Sequence, residues 1–281
     1  MANQYYGDVG DVWKHLPLAA LLEGERPERY GEANAGSAAY PALTTRRRPC
    51  DYWDFVERAP TSAVLAESTY FALLKAELDR GEAAARYPGS PYVAMSLLDR
   101  ATTDYVFADT DGESIQSIAD AATELGIAPT RLALVHGDGV AALTERLSQW
   151  GDETFVMVDP FEPLMRISNG VSSIELVCNL ATRGIKTLLW YAISLEKRDE
   201  HDQVRSALEV GLTGRLSSPY WIGELRLSEK IGTDAGLLGC GLMAANIGPS
   251  SLQRCEALGA ALAASLPSAS FEVTTVASAM R

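Results

Sequence analysis

The sequence predicts an α/β protein: a mostly parallel sheet with helices on both faces and a small helical insertion near its start. Three observations carry that expectation. From Tyr105 to Tyr191, short apolar runs alternate with amphipathic helical stretches, the pattern of parallel strands joined by right-handed crossovers. Several of those runs end in an acid, as Tyr105 to Asp109 and Phe155 to Asp159 do. Between Pro41 and Arg86 the apolar spacing turns helical instead, through Tyr52, Phe55, Leu65, Tyr70, Leu74 and Leu78.

The strand around Asp159 organises the rest. Thr154 to Pro163 reads TFVMVDPFEP, a buried β-branched run that stops at a rigid turn. Ligands of open α/β sheets sit beyond the carboxyl ends of the strands, so Asp159, with Pro160 and Phe161 after it, is a candidate reaction centre. An ordinary Asp-Pro turn fits the same residues.

Taken in order, the chain opens polar and aromatic, with Tyr5 and Tyr6, and then reads DVWKHLPLAALLE. Pro17 belongs in a helix's first turn, which predicts a start near Leu16 and leaves Lys14 and His15 ahead of it, facing a ligand. A weak strand at Tyr30 leads to the small residues Ala33 to Ala38. Gly36 there is the one remnant of a glycine-rich loop that lets a cofactor approach the backbone. YPGSP, Tyr87 to Pro91, closes the helical insertion at 41–88. Asp109 ends the second strand, where a carboxylate accepts two hydrogen bonds from a ribose diol. Asp138, between Gly137 and Gly139, fits an adenine amino group and equally a plain turn. After Tyr191 come a charged helix to Leu212, three short strands at Glu224–Leu227, Leu237–Ile247 and Phe271–Val276, and an Ala-rich helix at Leu252–Leu266. Late strands of this kind form an antiparallel sheet edge.

Bulk properties narrow the function. The chain has 281 residues, enough for one full core, and 1–281 is expected to form a single domain. Its formal charge is −13, opposite to the basic footprint of nucleic-acid binding. Arg46, Arg47 and Arg48 form the one basic cluster. The N-terminus reads as neither signal peptide nor membrane anchor, so the expected location is the cytoplasm. Four cysteines and three histidines lie far apart, so neither a disulfide framework nor a bound metal is expected.

Several ordered stretches resemble one family, the bacterial enzymes that methylate N6 of a large-subunit rRNA adenine. They are DVWKH (Asp11 to His15), ANAGSAAY (Ala33 to Tyr40), YPGSP, FAD (Phe107 to Asp109), HGDG (His136 to Gly139), VDPF (Val158 to Phe161), LLWY (Leu188 to Tyr191) and the late GLLGCGLMAANIGPS. The resemblance spans nearly the whole chain. It implies a Rossmann-like class I methyltransferase with a seven-stranded sheet and S-adenosylmethionine as cofactor. Lys14, His15, Asn34, Gly36, Ser90, Asp109, Asp138 and Gly139 would then line the cofactor site, with Asp159, Pro160 and Phe161 at the catalytic centre. Trp190, Tyr191, Tyr5 and Tyr6 would face the acceptor, and Trp190 or Tyr191 either serves a sulfonium or packs in the core.

The departures bear on the acceptor. The family's Asp-Pro-Pro-Tyr is Asp159-Pro160-Phe161-Glu162 here, so the stacking ring of the fourth position is gone. Asn34 stands where the family has a histidine, the early RNA-contacting tyrosine has no clear counterpart, and Pro17 is foreign to the first helix. With the acidic balance, these changes point to methyl transfer onto an amine of a small molecule in a specialised pathway. Adenine-N6 methylation of rRNA or another nucleic acid, self-consumption of the cofactor with release of methylthioadenosine, and a non-catalytic scaffold are the alternatives.

Overall fold

Asp8, rather than Pro17, sets the start of the first helix. In the computed structural model, which describes residues 6–42, 50–81, 84–166, 170–194, 198–228, 237–267 and 269–276, Asp8 caps α1 (Val9–Glu25) by accepting from the amides of Gly10 and Asp11. Those amides have no partner inside the helix, so the cap satisfies them. Pro17 lies within α1, where it removes a backbone bond at a cost of about 3 kcal/mol. Val9, Val12, Trp13, Leu16, Leu18, Leu21 and Leu22 are all buried on the same helix. Each contributes about 1.5–3 kcal/mol, which outweighs the proline. Lys14 and His15 therefore ride inside the helix and not ahead of it, correcting the expected start at Leu16.

After α1 come β1 (Arg29–Ala33), β2 (Ala39–Pro41), α2 (Tyr52–Arg58), α3 (Ala63–Ala66), α4 (Thr69–Leu78) and β3 (Arg86–Pro88). β2 and β3 pair antiparallel, with Tyr40 opposite Tyr87, so the helical segment leaves and rejoins the chain at one place. Arg46, Arg47 and Arg48 lie outside the described residues.

The chain continues through α5 (Ser90–Leu97), β4 (Asp104–Asp109), α6 (Gly112–Glu124), β5 (Leu132–His136), α7 (Gly139–Thr144), β6 (Thr154–Val158), α8 (Ser173–Thr182) and β7 (Lys186–Ser194). It ends with α9 (Arg198–Leu212), β8 (Tyr220–Leu227), β9 (Leu237–Ala245), α10 (Pro249–Ser265) and β10 (Ala269–Val276). The main sheet runs β10-β8-β9-β7-β6-β1-β4-β5. β5, β4, β1, β6 and β7 are parallel neighbours, and β9, β8 and β10 extend the sheet antiparallel.

The sheet thus has eight strands instead of the seven of the resembled family. β10 forms the antiparallel edge, registered on β8 from Ala269 opposite Leu227 to Val276 opposite Tyr220. Phe271 anchors it, its ring set edge-on to Trp13 with centroids 5.0 Å apart.

Strand alternation divides the core between two faces. Phe155 and Met157 of β6 pack with α1 and α10, whereas Val156 and Val158 pack with α8 and α9. Burial on both sides is the reason β6 is an unbroken apolar run.

Close packing where β1 ends depends on one glycine. A Cβ on Gly139 would stand 3.0 Å from the Cα and Cβ of Ala33 and from the amide of Asn34, so α7 meets the end of β1 only without a side chain there. Gly139→Ala is expected to cost about 1–3 kcal/mol, read as a lowered urea midpoint with unchanged slope.

Candidate active site

The strand order reverses between β1 and β6, since β4 follows β1 on one side while β6 adjoins it on the other. Ligands gather at such switch points, beyond the carboxyl ends. A cleft of about 790 Å³ opens there, within the range of small-molecule sites.

Lys14, His15, Asn34, Gly36, Ser90, Asp109, Asp159, Pro160, Phe161 and Trp190 all line this cleft. Backbone geometry explains the loop after β1. Asn34 has φ 59° and Gly36 φ 63°, left-handed conformations that asparagine and glycine adopt most readily. The curl brings the Gly36 amide to Asp109, whose Oδ2 accepts at 2.8 Å, while the other carboxylate oxygen accepts from the Asp111 amide at 2.8 Å. Ser90 is held from below, its hydroxyl donating to Glu32 Oε1 at 2.5 Å.

Four other sequence candidates fall elsewhere. Tyr191 points to the opposite face of β7 from Trp190, into the core beneath α8 and α9, and its hydroxyl donates to Glu224 at 2.6 Å. It is a packing residue and not an acceptor contact. Asp138 caps α7 by accepting from the amides of Val140 and Ala141, and Gly139 serves the packing described above. Tyr6 stacks on Tyr40 with centroids 4.5 Å apart and donates to the Pro41 carbonyl. It touches a lining residue without lining the cleft itself. Tyr5 lies outside the described residues.

Sequence reading missed Asp8, Asp11, Tyr40, Asp111, Ser114, Glu200, Val204 and Leu237, which also line the cleft. The first two carried a usable signal. Asp8, Asp11 and Lys14 recur every third residue, the spacing of one helix face, and become legible once the helix starts at Val9.

The electrostatic centre is Lys14. Its Nζ lies 2.6 Å from Asp159 Oδ2 and 2.8 Å from Asp11 Oδ1, and 5.8 Å from the centroid of the Trp190 ring. Burial works to discharge Lys14, but the two carboxylates outweigh it and hold the ammonium well above its ordinary range. Burial also works to raise the Asp11 carboxyl, and Lys14 overrides it and keeps that group below normal. For Asp159 burial prevails over the same lysine, and its carboxyl is raised. Asp8 is pushed up to about 7, by burial first and then by Asp11. Glu32 is buried on β1, accepts from Tyr30 and Ser90, and is pushed up to about 8 by burial. His15 is held neutral by burial and then by Lys14, its pKa lowered to about 3.

Glu32 and Asp8 make stability depend on pH. Their carboxyls titrate ordinarily at 4.5 and 3.8 and in the folded chain at about 8 and 7. Between those limits the folded state holds protons that the unfolded state has released. Their contribution is therefore full in acid below the ordinary values and lost as pH rises through the folded ones. The urea midpoint is expected to fall from about pH 5 to 8 on this account. Glu32→Gln, neutral throughout, flattens the decline; an unchanged slope would refute the protonated Glu32.

No family model matches the chain, and no curated protein matches it. Solved structures do. Protein LPL1258 from Legionella pneumophila is 20% identical, with a TM-score of 0.72 over 96% of this chain and 98% of that one. A putative O-methyltransferase from Klebsiella pneumoniae is 13% identical, with a TM-score of 0.44 over 83% of this chain and 80% of that one. The O-methyltransferase TomG from Streptomyces achromogenes, solved in complex with SAM, is 12% identical, with a TM-score of 0.43 over 83% and 79%. The chain shares the fold of LPL1258 along nearly its full length.

Proposed function

We propose that the cleft binds S-adenosylmethionine and that the enzyme transfers its methyl group to an amine nitrogen of a small molecule. One observation carries the choice of acceptor. Among the described residues the lining holds the acids Asp8, Asp11, Asp109, Asp111, Asp159 and Glu200, and its one cation is Lys14. That lysine already meets Asp11 and Asp159. A polyanion would approach an acidic wall, whereas nucleic-acid binders draw affinity from basic groups at the phosphates. A sulfonium cofactor and an amine acceptor meet the favourable sign.

The residues present fit the cofactor. Asp109 stands at the end of β4, and each of its oxygens keeps a lone pair for a ribose hydroxyl beyond the amide it already accepts. The backbone at Gly36 is open to close approach, and Trp190 offers a ring face worth about 0.5–2 kcal/mol to a cation. Bound there, the sulfonium supplies an electrophilic methyl carbon.

The chain's own groups position the acceptor. Asp159 Oδ2 is taken by Lys14, so Oδ1 is the oxygen left to accept from an amine N–H. The Pro160 carbonyl is suited to take the second. Two acceptors hold the nitrogen lone pair in line with the methyl carbon, and such positioning supplies most of the acceleration. A new N–C bond forms, the C–S pair returns to sulfur, and the surplus proton leaves nitrogen through Asp159 or water.

One observation favours a second reading. Phe161 is 82% exposed beside Asp159 and lines the cleft, so its ring could stack on a planar base, as adenine-N6 methylation requires.

Mass spectrometry of the protein incubated with S-adenosylmethionine, alone, with amines and with rRNA fragments, separates the readings. S-adenosylhomocysteine formed only with an amine is the expected result. Formation only with RNA selects the second reading, and methylthioadenosine formed without any acceptor sinks methyl transfer. Asp159→Asn is expected to lower kcat and kcat/KM together by about 10²–10³-fold, because it weakens an interaction made in the transition state. Phe161→Ala is expected to raise the acceptor KM roughly three- to tenfold with kcat kept, the loss of one aromatic wall.

A further inference from the structure

His15 is 1% exposed. Its Nδ1 lies 3.0 Å from the Tyr87 hydroxyl, and the Tyr70 hydroxyl donates to the Tyr87 oxygen at 3.0 Å. Both tyrosines are fully buried and come from the segment between β1 and α5, Tyr70 on α4 and Tyr87 on β3. His15 also lines the cleft, and its Nε2 has no hydrogen-bond partner among the described residues.

Each phenol has one proton, and the direction of the Tyr70–Tyr87 bond sets the imidazole. Tyr70 gives its proton to Tyr87, so Tyr87 gives its own to Nδ1, which must be the bare nitrogen. The proton of the neutral ring is then on Nε2. The reverse order, with Nδ1–H donating to Tyr87, turns the Tyr87 proton toward Tyr70, against the direction in which the Tyr70 hydroxyl donates; either order leaves one proton without a partner among the described residues, Nε2–H in the first and Tyr70 O–H in the second. A buried N–H without a partner is costly, and here it belongs to a residue of the cleft wall.

We propose that the Tyr70–Tyr87 hydroxyl chain fixes His15 as its Nε2–H tautomer, making it a neutral donor for a carboxylate oxygen of the bound ligand. Tyr70 and Tyr87 are positioning residues that act through His15. The carboxylate assignment rests on the cofactor reading above, in which S-adenosylmethionine brings an amino-acid end into the cleft; the tautomer does not.

Two measurements test it. Long-range ¹⁵N–¹H spectra of histidine-labelled, ligand-free protein read the tautomer directly, with His15→Gln identifying the His15 signals among those of His136 and His201. The expected pattern is a protonated Nε2 and a bare, hydrogen-bonded Nδ1, with the Nδ1 hydrogen-bond shift lost in Tyr87→Phe. Calorimetry then compares S-adenosylhomocysteine, which carries the carboxylate, with methylthioadenosine, which lacks it. Tyr87→Phe and His15→Leu are expected to weaken the first about tenfold and the second less than about twofold. His15→Gln, whose amide nitrogen stands near the Nε2 position, is expected to restore most of the preference.

A wild-type spectrum with the proton on Nδ1 overturns the proposal whatever the ligands do. Equal losses for both ligands overturn the carboxylate role. Wild-type protein that binds neither ligand defeats the cofactor reading and that role with it, while the ligand-free spectrum still decides the tautomer. Should Tyr87→Phe fail to fold, His15→Gln against His15→Leu carries the same comparison.

Discussion

A buried lysine shared by two carboxylates holds the cleft together. Lys14 reaches Asp11 one turn back on its own helix and Asp159 at the end of β6, so the helix that opens the chain is tied to the strand at the sheet's centre. Breaking a buried pair from one side leaves an uncompensated charge, typically at a cost of about 3–5 kcal/mol. The position of α1 across the strand ends follows from this constraint, and with it the location of every group α1 brings. Asp8 closes one side of the cleft as a helix cap, Trp190 lies beside the lysine, and His15 turns one nitrogen to the cleft and the other to Tyr87. The apolar face of α1 makes the tie affordable even with a proline inside the helix.

The fold was largely legible because parallel strands buried on two faces read as unbroken apolar runs, as Phe155 to Val158 does. The strand ends were legible for the same reason, and they delivered Asp109, Asp159 and Trp190 to the cleft. Three things were not. A strand has two faces and nothing local says which of Trp190 and Tyr191 meets the cleft; the packing of α8 and α9 against Tyr191 decides it. Pro17 argued for a late helix, and only the Asp8 cap with the buried stripe behind it argued for an early one, so Asp8 and Asp11 went unread. Tyr70 read as one apolar position of the helical segment and Tyr87 as the start of the YPGSP boundary; both are fully buried. Their hydroxyl chain to His15 appears only when the segment from β2 to β3 folds back on α1.

Charge connects the sequence to the chemistry. A net charge of −13 says little about any one site, since surface acids chiefly serve solubility. Its concentration beyond the strand ends has a specific consequence. Transfer of a methyl group from a sulfonium to an amine moves a positive charge from sulfur to nitrogen without changing the total. Carboxylates placed at the nitrogen's end interact more strongly with the transition state than with the reactants, the condition for raising kcat rather than merely binding. Lys14 moderates the effect, because by holding Oδ2 of Asp159 it fixes the carboxylate in place and, on the proposed reading, leaves Oδ1 for the acceptor. An RNA acceptor would have to bring its phosphates toward the same acids. On the proposed reading, an arrangement suited to charge development on a small amine works against a polyanionic acceptor, and Asp11, Lys14 and Asp159, which tie α1 to β6, take part in both effects.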